Sequence, residues 1–193
     1  MKLLITILTS YNECILYESY KTVKSQINHN IDYDIFIIVN SLNPDYYNNV
    51  MKAASMIRKN FNIGSRKITI STAGIASKIK QMADDKHSYK LAISLNASSE
   101  KVRMQIMPIT EKYSLLELIE SAQYYYHKIK RFITFEYVLL KDVNDTIDDA
   151  INLAKLLKSL PCKLNIIPYN EIGGDYSRPS NEVINDFVKK LNN

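Results

Sequence analysis

Short, nearly continuous apolar runs alternate along this chain with stretches in which apolar residues recur every three or four positions. The first pattern suits strands buried on both faces of a parallel sheet, and the second suits amphipathic helices. Leu3 to Leu8 is the first such run. Asp34 to Val39, Lys67 to Ser71, Leu91 to Leu95, Ile133 to Leu140 and Cys162 to Ile167 follow it. Between them the helical period predicts helices over Glu13 to Gln26, Tyr46 to Phe61, Ile75 to Met82, Ser99 to Ile106, Ser114 to Lys128, Ile147 to Leu157 and Asn181 to Leu191. Caps and breakers fall where these helices need them. Asn12, Ser98 or Ser99, and Ser180 offer side-chain acceptors at helix starts, Gly64 lies just past the second helix, and Pro108 interrupts the fourth.

About six βα units with few long loops imply an α/β fold with a parallel sheet and right-handed crossovers. Residues 1–193 read as a single α/β domain. The sheet either closes part of the way into an open barrel or stays a doubly wound open sheet. Six units without a GxGxxG fingerprint lean toward the partial barrel.

Three of the strand runs end in Ser or Asn. The third leads through Ser71-Thr72-Ala73 to Gly74, the fourth ends Ser94-Leu95-Asn96, and the sixth runs into Pro168-Tyr169-Asn170. Carboxyl ends of parallel strands are where α/β proteins gather their ligand contacts.

Composition narrows the function only a little. There are 25 Lys plus Arg against 20 Asp plus Glu, a net charge of +5. That excess permits a polyanionic partner without arguing for one. Cys14 and Cys162 match neither a disulfide framework nor a metal-ligand spacing, so no disulfide partner and a reducing, cytoplasmic setting are expected. The apolar start, Met1 to Leu8, is only a strand long, too short to cross a membrane, and no cleavage pattern follows it. His29, His87 and His127 are scattered and suggest no zinc site. Asp84-Asp85 and Asp148-Asp149 read as solvated faces or caps, and Asp142, Asn144 and Asp145 as a polar turn. Of Tyr124, Tyr125 and Tyr126, consecutive on a helix, only part can face a core.

From about Tyr47 to Lys190 the chain resembles the radical SAM adenine-C2 methyltransferases of 23S rRNA and tRNA, the RlmN-type family. The resemblance rests on five blocks in family order: Asn62 to Gly74, Leu91 to Ala97, Pro108 to Tyr113, Glu136 to Leu140, and Cys162 to Asn170, with the tail Ser177-Arg178-Pro179-Ser180. It implies a partial, open βα barrel of radical SAM type over residues 46–193, binding S-adenosylmethionine (SAM) along the strand tips. By matching position it implies SAM contacts at Ser71, at Ser94, Leu95 and Asn96, and at Asn170, and rRNA or tRNA as the macromolecular partner. Basic residues from Arg66 to Arg131, Lys101 and Arg103 among them, are available to an RNA backbone.

The same resemblance implies a four-iron four-sulfur cluster on a CxxxCxxC motif. Soft thiolates ligate such a cluster, and the motif is absent, since no cysteine follows Cys14 within seven residues. Where the family carries Gly-Glu-Pro this chain has Ser41-Leu42-Asn43-Pro44-Asp45, with no Gly-Glu. The family's methyl-transferring cysteine lies in a segment past its last helix, which this sequence does not include, and Cys162 reads as a core thiol. The resulting expectation is a chain that binds SAM and does not methylate RNA by itself.

Residues 1–45 look different. Ile5-Thr6-Ile7-Leu8-Thr9-Ser10-Tyr11-Asn12-Glu13, Thr22 to Gln26 and Tyr33 to Asn40 resemble the opening of a family 2 type glycosyltransferase. That resemblance implies a nucleotide-sugar contact at Thr9 to Asn12 and Asn40. The strand-end acidic residue and the Asp-x-Asp motif of that family are absent. A noncatalytic α/β domain that binds a partner is the remaining alternative.

Overall fold

Among the described residues, six strands pair side by side in the order in which the chain makes them, all parallel, in the computed structural model of the protein. The structure describes residues 2–8, 32–39, 44–60, 62–171 and 173–192. The helix expected over Glu13 to Gln26, and the expectations placed on Thr9 to Asn12 and on Asn40 to Asn43, lie outside these residues. The strands are β1 (Lys2–Leu8), β2 (Asp32–Val39), β3 (Ile68–Thr72), β4 (Lys90–Ser94), β5 (Ile133–Leu139) and β6 (Cys162–Pro168). Among the described residues the α-helices are α1 (Pro44–Asn60), α2 (Ala76–Asp84), α3 (Glu100–Ile106), α4 (Leu115–Ile129), α5 (Ile147–Leu157) and α6 (Asn181–Leu191).

Strand order decides between the two architectures. A doubly wound sheet reverses direction at a switch point. Here the order β1-β2-β3-β4-β5-β6 never reverses, and β1 and β6 are the two edges. Crossovers of one hand, each advancing by one strand, leave the helices on one face and curl the sheet toward a barrel. The result is the open, partial barrel, and the doubly wound alternative is set aside.

The core lies between that face and the helices. Ile68 and Ile70 of β3, Leu91 and Ile93 of β4, and Ile133, Phe135, Tyr137 and Leu139 of β5 bury it from the sheet side. Val50, Ala54 and Ile57 of α1, Ile79 and Met82 of α2, and Leu118, Ala122 and Tyr125 of α4 close it from outside. Further along, Leu153 of α5 and Phe187 of α6 do the same, and Phe187 packs on Tyr137 with ring centroids 5.7 Å apart. The alternate strand residues face the other way. Parallel register lines up Ser71, Ala92 and Thr134 in one row, and Ser94, Glu136 and Asn165 in the next.

Helix ends follow the expected chemistry. Ser99, Ser114, Thr146 and Ser180 each cap a helix through the side-chain oxygen, and α4 and α5 carry full capping boxes with Glu117 and Asp149. α1 begins two residues before the sequence pattern predicts, at Pro44, because proline fits a first helical turn that needs no N–H from it. Of the tyrosine run, Tyr125 is fully buried while Tyr124 is 37% exposed and donates to Asp84. Asp85 accepts a hydrogen bond from Tyr47 at 2.9 Å, so the pair Asp84-Asp85 fastens α2 to its neighbours. Among the described residues no helix is long and apolar enough to cross a membrane.

Candidate functional site on the concave face

The central feature of the concave face is the Glu136 carboxylate. It projects from the middle of β5 toward β4 and β3, and one oxygen accepts from Ser94 Oγ at 3.5 Å and from Ser71 Oγ at 3.4 Å. Three neighbouring strands therefore aim polar side chains at one place. Burial raises the Glu136 carboxyl above the usual range for glutamate, and the two serine hydroxyls offset only part of that effect. Contacts of this length are weak. The group is half-buried and under-partnered, which leaves room for a cation or a hydroxyl donor. Sequence reading missed Glu136 as a site residue. Its signal was the alternation of β5, where Thr134, Glu136 and Val138 are the residues not turned into the core.

One step toward the strand tips lies the turn Ser94-Leu95-Asn96. Asn96 adopts the left-handed conformation (φ 58°), which asparagine tolerates better than most residues. Its Oδ1 accepts from the Val138 N–H at 3.0 Å, and its Nδ2 lies 3.4 Å from Met107 Sδ. The backbone N–H groups of Leu95 and Asn96 both donate to the Glu136 carbonyl, at 2.9 and 3.3 Å. The Leu95 side chain is fully buried and its carbonyl accepts from Arg103 Nε at 3.2 Å. What this turn offers a ligand is therefore a second Asn96 amide hydrogen and remaining carbonyl lone pairs, with its backbone donors already engaged.

Arg103 sits beneath the turn. The sequence offers it as a cation for an RNA backbone, yet it is fully buried. It donates to Ala73 O at 2.6 Å, Thr110 Oγ1 at 2.7 Å and Ser94 O at 3.4 Å as well as to Leu95 O. A guanidinium has five donors in a fixed fork, and here they clamp the ends of β3 and β4 to α3. Burial lowers its pKa to about 10, still far above neutrality, so the clamp is charged.

Of the residues expected to hold SAM, the structure brings Ser71 and Ser94 together around Glu136 and sets Asn96 beside them. Ser71 is only 3% exposed. Asn170 stands apart, exposed in the loop that follows β6. Among the described residues no three His, Cys, Asp or Glu side chains could hold a metal ion. Cys162 is half-buried against the core, its thiol pKa raised by burial, and Cys14 lies outside the described residues.

No family profile matches the chain. Individual proteins do. A protein of Clostridium botulinum named probable dual-specificity RNA methyltransferase RlmN is 49% identical over 152 residues, covering 77% of this chain and 44% of its own length. Proteins of the same name from Flavobacterium psychrophilum and Leptospira interrogans are 45% and 44% identical over 75% of this chain. Over that stretch the chain belongs to the RlmN family. It spans less than half the length of these relatives. Among solved structures, a radical SAM methyltransferase from Sphaerobacter thermophilus superposes with a TM-score of 0.81 at 30% identity, over 93% of this chain and 53% of that one. A domain of a pyruvate-formate lyase-activating enzyme from Bacteroides vulgatus, 15% identical with a TM-score of 0.56, shares the fold.

Proposed function

We propose that this chain is an RlmN-type SAM-binding segment that does not transfer methyl groups to RNA by itself. The observation that carries the first half is the convergence of Ser71 and Ser94 on the Glu136 carboxylate across three adjacent strands. SAM presents an ammonium and a sulfonium, both cationic, and ribose hydroxyls. A half-buried carboxylate flanked by hydroxyls complements both kinds of group. Asn96 and Asn170, nearer the strand tips, supply amides for the adenine edge and the methionine carboxylate.

The second half rests on the thiols. Reductive cleavage of SAM in this family draws on an iron-sulfur cluster, and Cys14 and Cys162 are the only cysteines in the 193 residues. Two thiols distant in sequence do not make a cluster site, so no radical step is assigned to this chain.

The test is calorimetric titration of the purified chain with SAM and, separately, with UDP-sugars. SAM binding weakened by Glu136→Gln and by Asn170→Ala supports the reading. UDP-sugar binding without SAM binding moves the function to residues 1–45 and sinks it. For the second half, chain, SAM and a strong reductant are incubated with rRNA and tRNA. Any C2-methyladenine above the protein-free control refutes it.

A further inference from the structure

At the amino edge of the sheet, opposite the strand tips, a cleft of about 530 Å³ opens among Arg66, Lys90, Lys130, Arg131 and Lys163, with Phe132 at its side. Among the described residues five cations line it, and no Asp or Glu does. They come from the turn before β3, the first residue of β4, the link between α4 and β5, and the second residue of β6. Four consecutive strands thus each begin with a positive charge at the same mouth. Parallel register pairs Lys90 with Thr69 and Lys163 with Thr134, and Thr134 also lines the cleft.

Helix dipoles explain part of this. Lys130 is the left-handed C-cap of α4, where a cation is favoured. They do not explain Lys163, which stands on a strand, or Arg66. Nor do they explain Phe132, which is 58% exposed. Arg131 is fixed in place by donation to the Ser88 carbonyl, and Lys130 lies 5.9 Å from the centroid of the Tyr126 ring. A concave cationic wall beside a solvent-facing aromatic ring is the combination that holds a single-stranded nucleic-acid segment, phosphates on the charges and a base on the ring.

We propose that this cleft docks a single-stranded stretch of RNA, as a contact separate from the strand-tip site. Thr134 lines the cleft and Glu136 stands two residues further along β5, so the cleft starts about 7 Å from that carboxylate and opens away from it toward the amino edge. A folded RNA engaging one end of the barrel is large enough to reach the other. The inference rests on the RlmN-type reading, whose relatives are named RNA methyltransferases, and makes no use of SAM binding.

Fluorescence anisotropy tests it, with a labelled oligouridine and a labelled RNA hairpin titrated at several salt concentrations. Arg66→Glu combined with Lys163→Glu, both at exposed positions, weakens oligouridine binding roughly tenfold or more. It also lowers the salt slope by about 1.4, at about 0.7 per phosphate contact. Phe132→Ala weakens oligouridine at least about fivefold, within the range of one lost base stack, and leaves the hairpin stem unaffected. Lys189→Glu with Lys190→Glu, a charge-matched pair at the end of α6, leaves binding unchanged. Thermal melts and SAM titrations of the same variants match the parent protein, so a lost fold or lost cofactor site is recognised separately. Equal loss in the α6 pair means net charge alone, and unchanged binding in the cleft pair puts RNA elsewhere. Pyrophosphate or ATP competing as well as the oligonucleotide makes this a small-anion site. Each of these outcomes, or no RNA binding by the parent chain, overturns the proposal.

Discussion

Asn144 Nδ2 donates to the backbone carbonyl of Asn96 at 2.7 Å, joining the loop after β5 to the turn after β4. The same amide nitrogen donates to Val138 O at 2.9 Å, and Oδ1 accepts from the Leu140 N–H at 2.7 Å. Asn144 is fully buried, and its own carbonyl accepts from the Tyr137 hydroxyl at 2.9 Å. One side chain thus serves three backbone groups around the residue whose left-handed conformation shapes the candidate site. Asn144→Ala strands those groups in a buried place, and each unsatisfied partner costs about 1–3 kcal/mol. We expect a loss of about 3 kcal/mol, read as a melting point lower by about 6–12 °C for a chain of this size. SAM affinity falls with it, because Asn96 loses its support. A melt shifted by less than about 2 °C would show that the network is incidental.

Gly74 and Arg103 are a second interlocked pair. Gly74 has φ +111°, a conformation L side chains rarely adopt, and a Cβ added there would lie 2.8 Å from Arg103 Nη2 and 3.2 Å from the Leu118 methyls. Gly74→Ala therefore combines backbone strain with a clash against the buried clamp. The expected cost is about 2–4 kcal/mol, measured by urea denaturation. An alanine variant as stable as the parent would mean that the strand-end loop is not held as the structure has it.

Arg103→Met removes the clamp while keeping much of its length. It leaves the carbonyls of Ala73 and Leu95 and the Thr110 hydroxyl without their donor. A loss of about 3 kcal/mol is expected. Arg103→Lys recovers only part of it, because one ammonium cannot reach acceptors arranged for a planar fork. Equal stability of the lysine variant and the parent protein would refute a fork-specific role.

Much of this fold was legible from the chain because local signals agreed with tertiary ones. Ile147–Leu157 and Asn181–Leu191 begin and end where the helical period puts them, and Ser180 caps the second as its position predicts. The open barrel was legible from the count of βα units, but strand order, a tertiary fact, was needed to exclude the doubly wound sheet. At the site, Ser71 and Ser94 were visible as strand-end polar residues, whereas Glu136 was hidden in the alternation of β5. Arg103 looked like any basic residue on an amphipathic helix, because nothing in composition says that four acceptors await it in the interior. Asn144 looked like a turn residue because turns favour asparagine, and its reach to Asn96 crosses 48 positions of sequence.

The raised Glu136 pKa gives a pH prediction of definite sign. A carboxyl whose folded-state pKa exceeds its unfolded value is penalised when ionised. The penalty is absent below the unfolded pKa, about 4.3, grows as pH rises through the folded value, and is complete above it. Glu136→Gln therefore stabilises the ligand-free chain at neutral pH. The gain shrinks as pH falls, and parent and variant converge below about pH 4. With SAM present the order changes, because a cationic ligand favours the ionised carboxylate and the glutamine cannot supply that charge. The thermal shift produced by SAM should then be smaller in Glu136→Gln than in the parent, and in the parent it should weaken as pH falls toward 4. Melting curves of both proteins from pH 4 to 8, with and without SAM, test both statements. A glutamine variant less stable than the parent at pH 7 without ligand would show that the carboxylate is already satisfied and is not waiting for a cation.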